Sequence, residues 1–461
     1  MSGTEDNDDT IVARATPAGT GGIGIVRVSG ALASRIATIM LGRVPPPRVA
    51  TFSTFSDAHG QPLDQGIALY FPSPQSFTGE DVLELHGHGG PIVVSALVDA
   101  AVALGARMAE PGEFSRRAFL NGKLDLAQAE AIADLISSGS TQAARAALRS
   151  LSGAFSDAVE QLKETLTSLR IYVEAAIDFP EEEIDFLADD ALLARVDDCA
   201  AVFQRLRDDA RVGKVLRDGY RVVIVGRPNA GKSSLMNRLS GQESSIVTEL
   251  AGTTRDIVRE QISIDGLVVE LSDTAGLRED PDVIEAEGMR RARVALHQAD
   301  AILWIQDASA ASEASPAGVA DAMAGAGPAE PLPEGVPVVI VRNKIDVSGD
   351  APGLFQREPL TVAISAATGA GIDALRAELR DLAGYRDLGE GVFTARQRHI
   401  DALDRAMEHF SAGRAALGEA AAGELFAEEL KLAHLALSEI TGTFSSDDLL
   451  GRIFSEFCIG K

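Results

Sequence analysis

The run Gly226-Arg227-Pro228-Asn229-Ala230-Gly231-Lys232-Ser233 fits the pattern G-x-x-x-x-G-K-[ST] and sits between a strand-like RVVIV and a helix-like SSLMNRLS, the context in which that pattern cradles phosphate. Its glycines allow successive N–H groups to turn inward at the positive end of a helix dipole. Asn229, Ala230, Gly231, Lys232, Ser233 and Ser234 are therefore expected around a nucleotide's phosphates. Lys232 would neutralise the β- and γ-phosphates, and Ser233 would ligate Mg2+.

Three further elements follow in order. Asp273-Thr274-Ala275-Gly276 closes the strand-like LVVELSD, where a carboxylate can reach Mg2+ through water and a glycine amide can meet the γ-phosphate. Asn343-Lys344-Ile345-Asp346 follows VPVVIV, and the Asp346 carboxylate can accept from the N1–H and exocyclic amine of guanine. Adenine would leave that buried acceptor unpaired at roughly 2–5 kcal/mol, so GTP is preferred to ATP. Ser365, Ala366 and Ala367 follow a last strand and can brace the guanine O6 through backbone N–H. Between the first two elements lies Ala251-Gly-Thr-Thr-Arg-Asp256, in which Thr254 is the natural second Mg2+ ligand. Leu277 stands where a Ras-like enzyme carries a water-orienting glutamine. An apolar side chain cannot orient water, so hydrolysis needs another charge stabiliser.

The elements that must position these residues change texture three times. From Thr10 to about Leu120, short β-rich runs alternate with helical stretches, as in a compact α/β domain. From Asp125 the sequence turns Ala/Leu-rich with helical period, broken by PEEEID at 180–185 and resuming from about Asp189 to Leu216. Between Tyr220 and Tyr385, strand-like and helical runs alternate as in a doubly wound, mainly parallel sheet. Helical sequence returns from Gln397, while Ala308 to Gly335 is low in information. The expected fold is multidomain, α/β plus all-α. An N-terminal α/β domain spans 1–121, a discontinuous helical domain 122–217 and 387–461, and an inserted P-loop, Ras-like GTPase domain 218–386.

A chain of 461 residues with 46% apolar and 24% charged residues is ordinary globular composition and excludes a wholly disordered or fibrous protein. Net charge of −26 argues against general adhesion to nucleic acid or anionic membrane, though not against a local basic patch. Two cysteines, Cys199 and Cys458, provide neither a disulfide framework nor a cysteine zinc site. The first ten residues are polar and acidic, unlike a leader, and the longest apolar stretch, Ile92 to Ala106, contains Asp99 and is too short for a bilayer. A cytoplasmic protein with no membrane association is expected.

GRPNAGKSS, AGTTRD, DTAGLRE, NKID and the final Cys458-Ile459-Gly460-Lys461 together resemble the MnmE (TrmE) family of tRNA modification GTPases. GTGGIGIVRVSG, SFTGEDVLELHGHGG, PGEFSRRAFLNGKLDLAQAEAIADLI and FSSDDLLGRIF extend the resemblance over essentially the whole chain. The resemblance implies a homodimer whose N-terminal domain binds 5-formyl-tetrahydrofolate or a related one-carbon folate. It implies a heterotetramer with an FAD-dependent subunit of the MnmG (GidA) type. Together the two would add an aminomethyl-type (carboxymethylaminomethyl) group to C5 of the wobble uridine, position 34, of certain tRNAs. It also implies GTP hydrolysis driven by K+-dependent pairing of GTPase domains, with Asn229, Thr248, the Leu250 carbonyl and Thr253 as K+ ligands. The ion would stand where an arginine finger otherwise places its charge.

By the same resemblance Glu285 is the water-positioning acid; read alone, it is a solvated helix carboxylate. Arg27, Glu84, Lys123 and Lys461 are the implied folate residues, a carboxylate suiting the pterin edge and cations the anionic glutamyl tail. Cys458 reads two ways. Its thiolate could add to C6 of uridine, its pKa lowered by Lys461, or the side chain could simply pack beside the folate. His86 and His88 in HGHGG lack a third ligand and read as a Gly-rich turn. The basic clusters Met289–Arg293 and Arg396–His399 are the candidates for tRNA contact, although most such runs are solvated helix faces. A ribosome-assembly GTPase of the Era/Der kind shares the nucleotide motifs but carries a KH-type module or a second GTPase domain, and this chain has a single P-loop. A third alternative, a GTP-gated structural dimer, would show no hydrolysis.

Overall fold

The computed structural model describes residues 9–178, 190–241, 259–273, 294–309, 335–385, 392–420, 422–443, 447–455, 457, 459 and 460. The chain divides into two compact units, Met1–Ala133 with Ser150–Ala200 and Ala402–Lys461, and Asp134–Arg149 with Ala201–Asp401.

In the first unit, β1 (Ile11–Arg14), β2 (Gly21–Ser29), β3 (Thr51–Ser56), β4 (Pro62–Phe71), β5 (Val82–Gly89) and β6 (Arg107–Met108) form a sheet ordered β3-β4-β5-β2-β1-β6. All pairings are antiparallel except β1 with β6. Alternation in β2 and β5 turns Val26, Val28, Leu83 and Leu85 toward α1 (Ala33–Leu41) and α2 (Pro91–Ala103), which contribute Ile36, Met40 and Leu97 to a core without exposure above a few per cent. The His86–Gly89 segment is part of β5 and not the turn its glycines suggest. Those glycines serve close packing between strands: a Cβ at Gly66 would lie 2.1 Å from the His86 carbonyl oxygen, and one at Gly87 2.3 Å from the Asp64 carboxylate.

After the short α3 (Glu113–Leu120), the helix-period sequence from Asp125 resolves into α4 (Leu126–Ser137), α5 (Thr141–Leu151) and α6 (Ala154–Asp178). The breaks fall at Ser138-Gly139-Ser140 and at Gly153, whose φ of +99° suits glycine. α7 (Asp190–Asp218), α11 (Gln397–Ala420), α12 (Gly423–Thr441) and α13 (Asp447–Ser455) complete the long helices. α6 packs along α12, burying Leu162, Leu166, Leu169 and Val173 on one and Leu430, Ala433, Leu437 and Ile440 on the other, stripes with helical spacing. No described helix is long and apolar enough to cross a membrane.

The second unit holds β7 (Tyr220–Gly226), β8 (Arg259–Ile264), β9 (Leu267–Asp273), β10 (Ala301–Asp307), β11 (Val338–Asn343), β12 (Gly353–Arg357) and β13 (Leu360–Ala363), ordered β12-β13-β11-β10-β7-β9-β8. The five inner strands are parallel and the two edges antiparallel. With them go α8 (Lys232–Ser240), α9 (Ile345–Ser348) and α10 (Ile372–Leu382). β8 and β9 form a hairpin through Asp265-Gly266, both with positive φ, the two-residue turn whose twist matches paired strands.

Candidate functional site

In the second unit β7 and β9 run parallel with Ile224 registered on Asp273, so the P-loop and the start of the DTAG segment leave adjacent strands at one edge of the sheet. The chain turns at Asn229, φ +64°, and Gly231, φ +98°, into α8, whose N-terminus has no side-chain cap. A helix N-terminus of this kind presents its first amides to an anion. Ser233 and Ser234 are exposed in that first turn. Lys232 is 7% exposed, and its ammonium donates to the Gly226 and Arg227 carbonyls at 2.8 and 3.1 Å.

The base-side loops are joined to this cradle by Asn343, itself 2% exposed. Its Nδ2 donates to the Ala230 carbonyl at 2.9 Å, and its Oδ1 accepts from the Ala366 amide at 3.0 Å. A Cβ on Gly231 would lie 2.1 Å from the same Nδ2, so the P-loop glycine makes room for this tie. The Ser365 hydroxyl donates to Asp346 Oδ1 at 2.5 Å and accepts from the Thr368 amide at 3.1 Å, fixing the carboxylate. Lys344, φ +68°, reaches Asp307 Oδ2 at 2.6 Å. That hydrogen bond from Lys344 brings the Asp307 carboxyl down to about 2. The structure therefore brings together Asn229, Ala230, Gly231, Lys232, Ser233, Ser234, Asn343, Lys344, Asp346, Ser365 and Ala366. Thr248, Leu250, Thr253, Thr254, Thr274, Ala275, Gly276 and Glu285 lie outside the described residues, as does the side chain of Asp273.

A second constellation lies on the N-terminal sheet. Arg27 on β2 and Glu84 on β5 are cross-strand partners, with Nε to Oε1 at 2.9 Å, and His86 Nε2 is 3.1 Å from the other Glu84 oxygen. The Arg27 guanidinium is within 5.5 Å of the Phe77 ring centre and 5.7 Å of that of Phe114. Lys123 donates to the Pro74 carbonyl at 3.0 Å, so Arg27, Glu84 and Lys123 gather around the 72–80 loop. Gly460 lies beside the Arg14 carbonyl, where a Cβ would approach to 2.1 Å, and Ile459 forms a bridge with Pro111. Cys458 and Lys461 are outside the described residues.

The motif PGEFSRRAF supplies a support that motif reading missed. Arg117, its side chain 3% exposed, contacts Asp9 at 2.6 Å, Glu113 at 2.9 Å and Glu80 at 3.1 Å, while Ser29 donates to Glu80 at 2.7 Å. Burial pushes Glu113 up, but hydrogen bonds from Arg107, the Glu110 amide and Arg117 more than offset it and leave the carboxyl lowered. This network anchors the end of the 72–80 loop.

Two expectations are corrected. Arg396 and His399 are not a tRNA-facing patch: they are 9% and 2% exposed, Arg396 contacts Asp134 at 2.8 Å, and the Arg396 amide donates to His399 Nδ1 at 3.0 Å. The basic charge at that point neutralises a buried acid. The other cluster, Met289–Arg293, is outside the described residues. His86 and His88, read as a turn, are strand residues paired with Glu84 and Asp64, and among the described residues no cluster of His, Cys, Asp or Glu could hold a metal. Cys199 is fully buried, its thiol pushed up to about 12 by that burial, which makes it a packing residue.

A P-loop and a fixed aspartate at the ends of strands in one mainly parallel sheet define a P-loop GTPase, a GTP hydrolase. Residues 10–123 match the family model for the GTP-binding protein TrmE N-terminus, and residues 126–458 that for the MnmE helical domain. The tRNA modification GTPases MnmE of Yersinia pestis bv. Antiqua (strain Angola) and of Yersinia pseudotuberculosis serotype I (strain IP32953) are each 55% identical over 456 residues, covering 98% of this chain and 99% of theirs. The chain belongs to the MnmE family of tRNA modification GTPases. A solved GTP-binding protein of Sulfolobus solfataricus in complex with GDP is 17% identical, covering 48% of this chain and 67% of that one at a TM-score of 0.25, and adds nothing to that assignment.

Proposed function

We propose that this GTPase is K+-stimulated and, with an FAD-dependent MnmG-type subunit, installs a carboxymethylaminomethyl-type group on C5 of the wobble uridine of certain tRNAs. It acts as a cytoplasmic homodimer with the domain division 1–121, 122–217 with 387–461, and 218–386. The observation that carries this reading is that one chain, 55% identical over 98% of its length to tRNA modification GTPases, has both a P-loop unit with an Asp346 held by Ser365 and an Arg27–Glu84 pair beside the 72–80 loop.

In hydrolysis the α8 amides and Lys232 bind the β- and γ-phosphates, and Asp346 reads the guanine edge. Ser233 and Thr254 would hold Mg2+, with the Asp273 carboxylate in support. Asn229, Thr248, the Leu250 carbonyl and Thr253 would hold K+, and these neutral oxygens are donors suited to such hard cations. When bound, the two ions neutralise charge that develops between the β- and γ-phosphates. Glu285 positions the attacking water, a role Leu277 cannot fill. On the N-terminal sheet Arg27, Glu84, Lys123 and Lys461 would hold 5-formyl-tetrahydrofolate or a related one-carbon folate, a carboxylate suiting the pterin edge and cations the anionic tail.

Mass spectrometry of wobble uridines in tRNA from cells lacking the protein tests this reading: loss of the modified nucleoside is expected, and unaltered nucleosides refute it. Cys458→Ser separates the two readings of the tail thiol. A nucleophile predicts lost modification with GTP turnover intact; wild-type modification leaves the packing role.

A further inference from the structure

The loop after β13 is gripped by a side chain outside every motif. Arg238, half-buried in the last turn of α8, donates from Nε to the Ala366 carbonyl at 3.0 Å and from Nη2 to the Ala367 carbonyl. In a trans peptide the C=O of one residue and the N–H of the next point in opposite directions. Fixing the Ala366 carbonyl therefore fixes the Ala367 amide, and fixing the Ala367 carbonyl fixes the Thr368 amide, which donates to Ser365 Oγ. On the other side of the same loop the Ala366 amide is held by Asn343. The rigid fork of a guanidinium suits two neighbouring carbonyls in a way that a lysine's single point donor does not.

We propose that Arg238 is a positioning residue for guanine recognition. By setting the Ala366–Ala367 peptide plane it aims the Ala367 N–H at the base's 6-oxygen, and so ties base recognition to the helix that begins at the P-loop. Arg238 touches no part of the nucleotide itself. The inference rests on the reading above that this loop faces the 6-oxygen.

The test uses the full chain and three probes: GDP, inosine diphosphate, which keeps the 6-oxygen, and the diphosphate of 2-aminopurine riboside, which lacks it together with the N1 proton. Arg238→Ala should weaken GDP and inosine diphosphate by about tenfold, the size of one charge-assisted hydrogen bond, while changing affinity for the third probe less than about twofold. Emission from Trp304, buried in β10 of the same unit, reports whether the variant is folded. If it is not, Arg238→Lys, which keeps length and charge but loses the fork, carries the same prediction. Equal loss for all three probes, or no loss for any, overturns the role of Arg238. A wild-type chain that binds the 2-aminopurine probe as well as GDP refutes the guanine-loop reading itself.

Discussion

Truncating Asn343 to alanine isolates the joint on which the nucleotide site depends. The side chain spans two loops with two hydrogen bonds of 2.9 and 3.0 Å, and the backbone groups it serves belong to residues 3% and 5% exposed, Ala230 and Ala366. Losing each bond costs about 1 kcal/mol, and leaving a buried carbonyl and amide unpaired adds a similar amount or more, for about 3 kcal/mol in all. The chain has a single tryptophan, Trp304, on β10 and 6% exposed, so its emission during urea unfolding follows the sheet unit alone. With a urea slope of about 3 kcal/mol/M, the midpoint should fall by about 1 M. In the absence of urea, the folded variant should bind GDP at least about tenfold more weakly, since the P-loop and the base loop lose their link. A midpoint shift below about 0.2 M with unchanged GDP affinity would show that these bonds do not hold the site together.

Arg117→Met should strip the counter-charge from Glu80, while Glu113 keeps Arg107, destabilising the N-terminal sheet by about 3 kcal/mol and raising hydrogen exchange of amides 76–81; unchanged protection there refutes the anchoring role. Asp307, its folded carboxyl lowered to about 2, stabilises the fold through its charged form, a contribution present above about pH 4 and lost as pH falls through about 2. The gap in Trp304-monitored urea midpoint between wild type and Asp307→Asn should therefore close over that range, and a constant gap contradicts the Lys344 pairing. Arg27→Ala with Glu84→Ala should lower affinity for 5-formyl-tetrahydrofolate by at least about tenfold in equilibrium dialysis, consistent with loss of two charge-assisted contacts, and retained affinity removes that pair from the folate reading.

What the sequence disclosed was what is local. The P-loop carries its strand, turn and helix in one run of residues, and LVVELSD names β9 residue for residue, because inner parallel strands are continuous apolar runs. The edge strands β8 and β12 carry no such run. β12 reads GLFQR and is mostly exposed, so it has no apolar periodicity to find, yet the Asp265-Gly266 pair was an available hairpin signal. Glycines in HGHG suggested a turn because nothing local distinguishes a flexible glycine from one that a neighbouring strand crowds. The Arg117 network and the Arg238 grip were illegible for a different reason: Asp9 lies 108 residues from Arg117 and Ala366 lies 128 residues from Arg238, so only folding brings each pair together. Arg396 shows the converse: a local run of basic residues reads as a surface, while its partner, Asp134, lies 262 residues away.

The rate of GTP turnover by the full chain in potassium, compared with sodium at equal ionic strength, tests the need for an alkali cation most directly. Replacing potassium by sodium should cut hydrolysis by an order of magnitude or more, as removal of a charge stabiliser from the transition state does. Equal rates in the two salts would contradict the claim that an alkali cation supplies what Leu277 cannot.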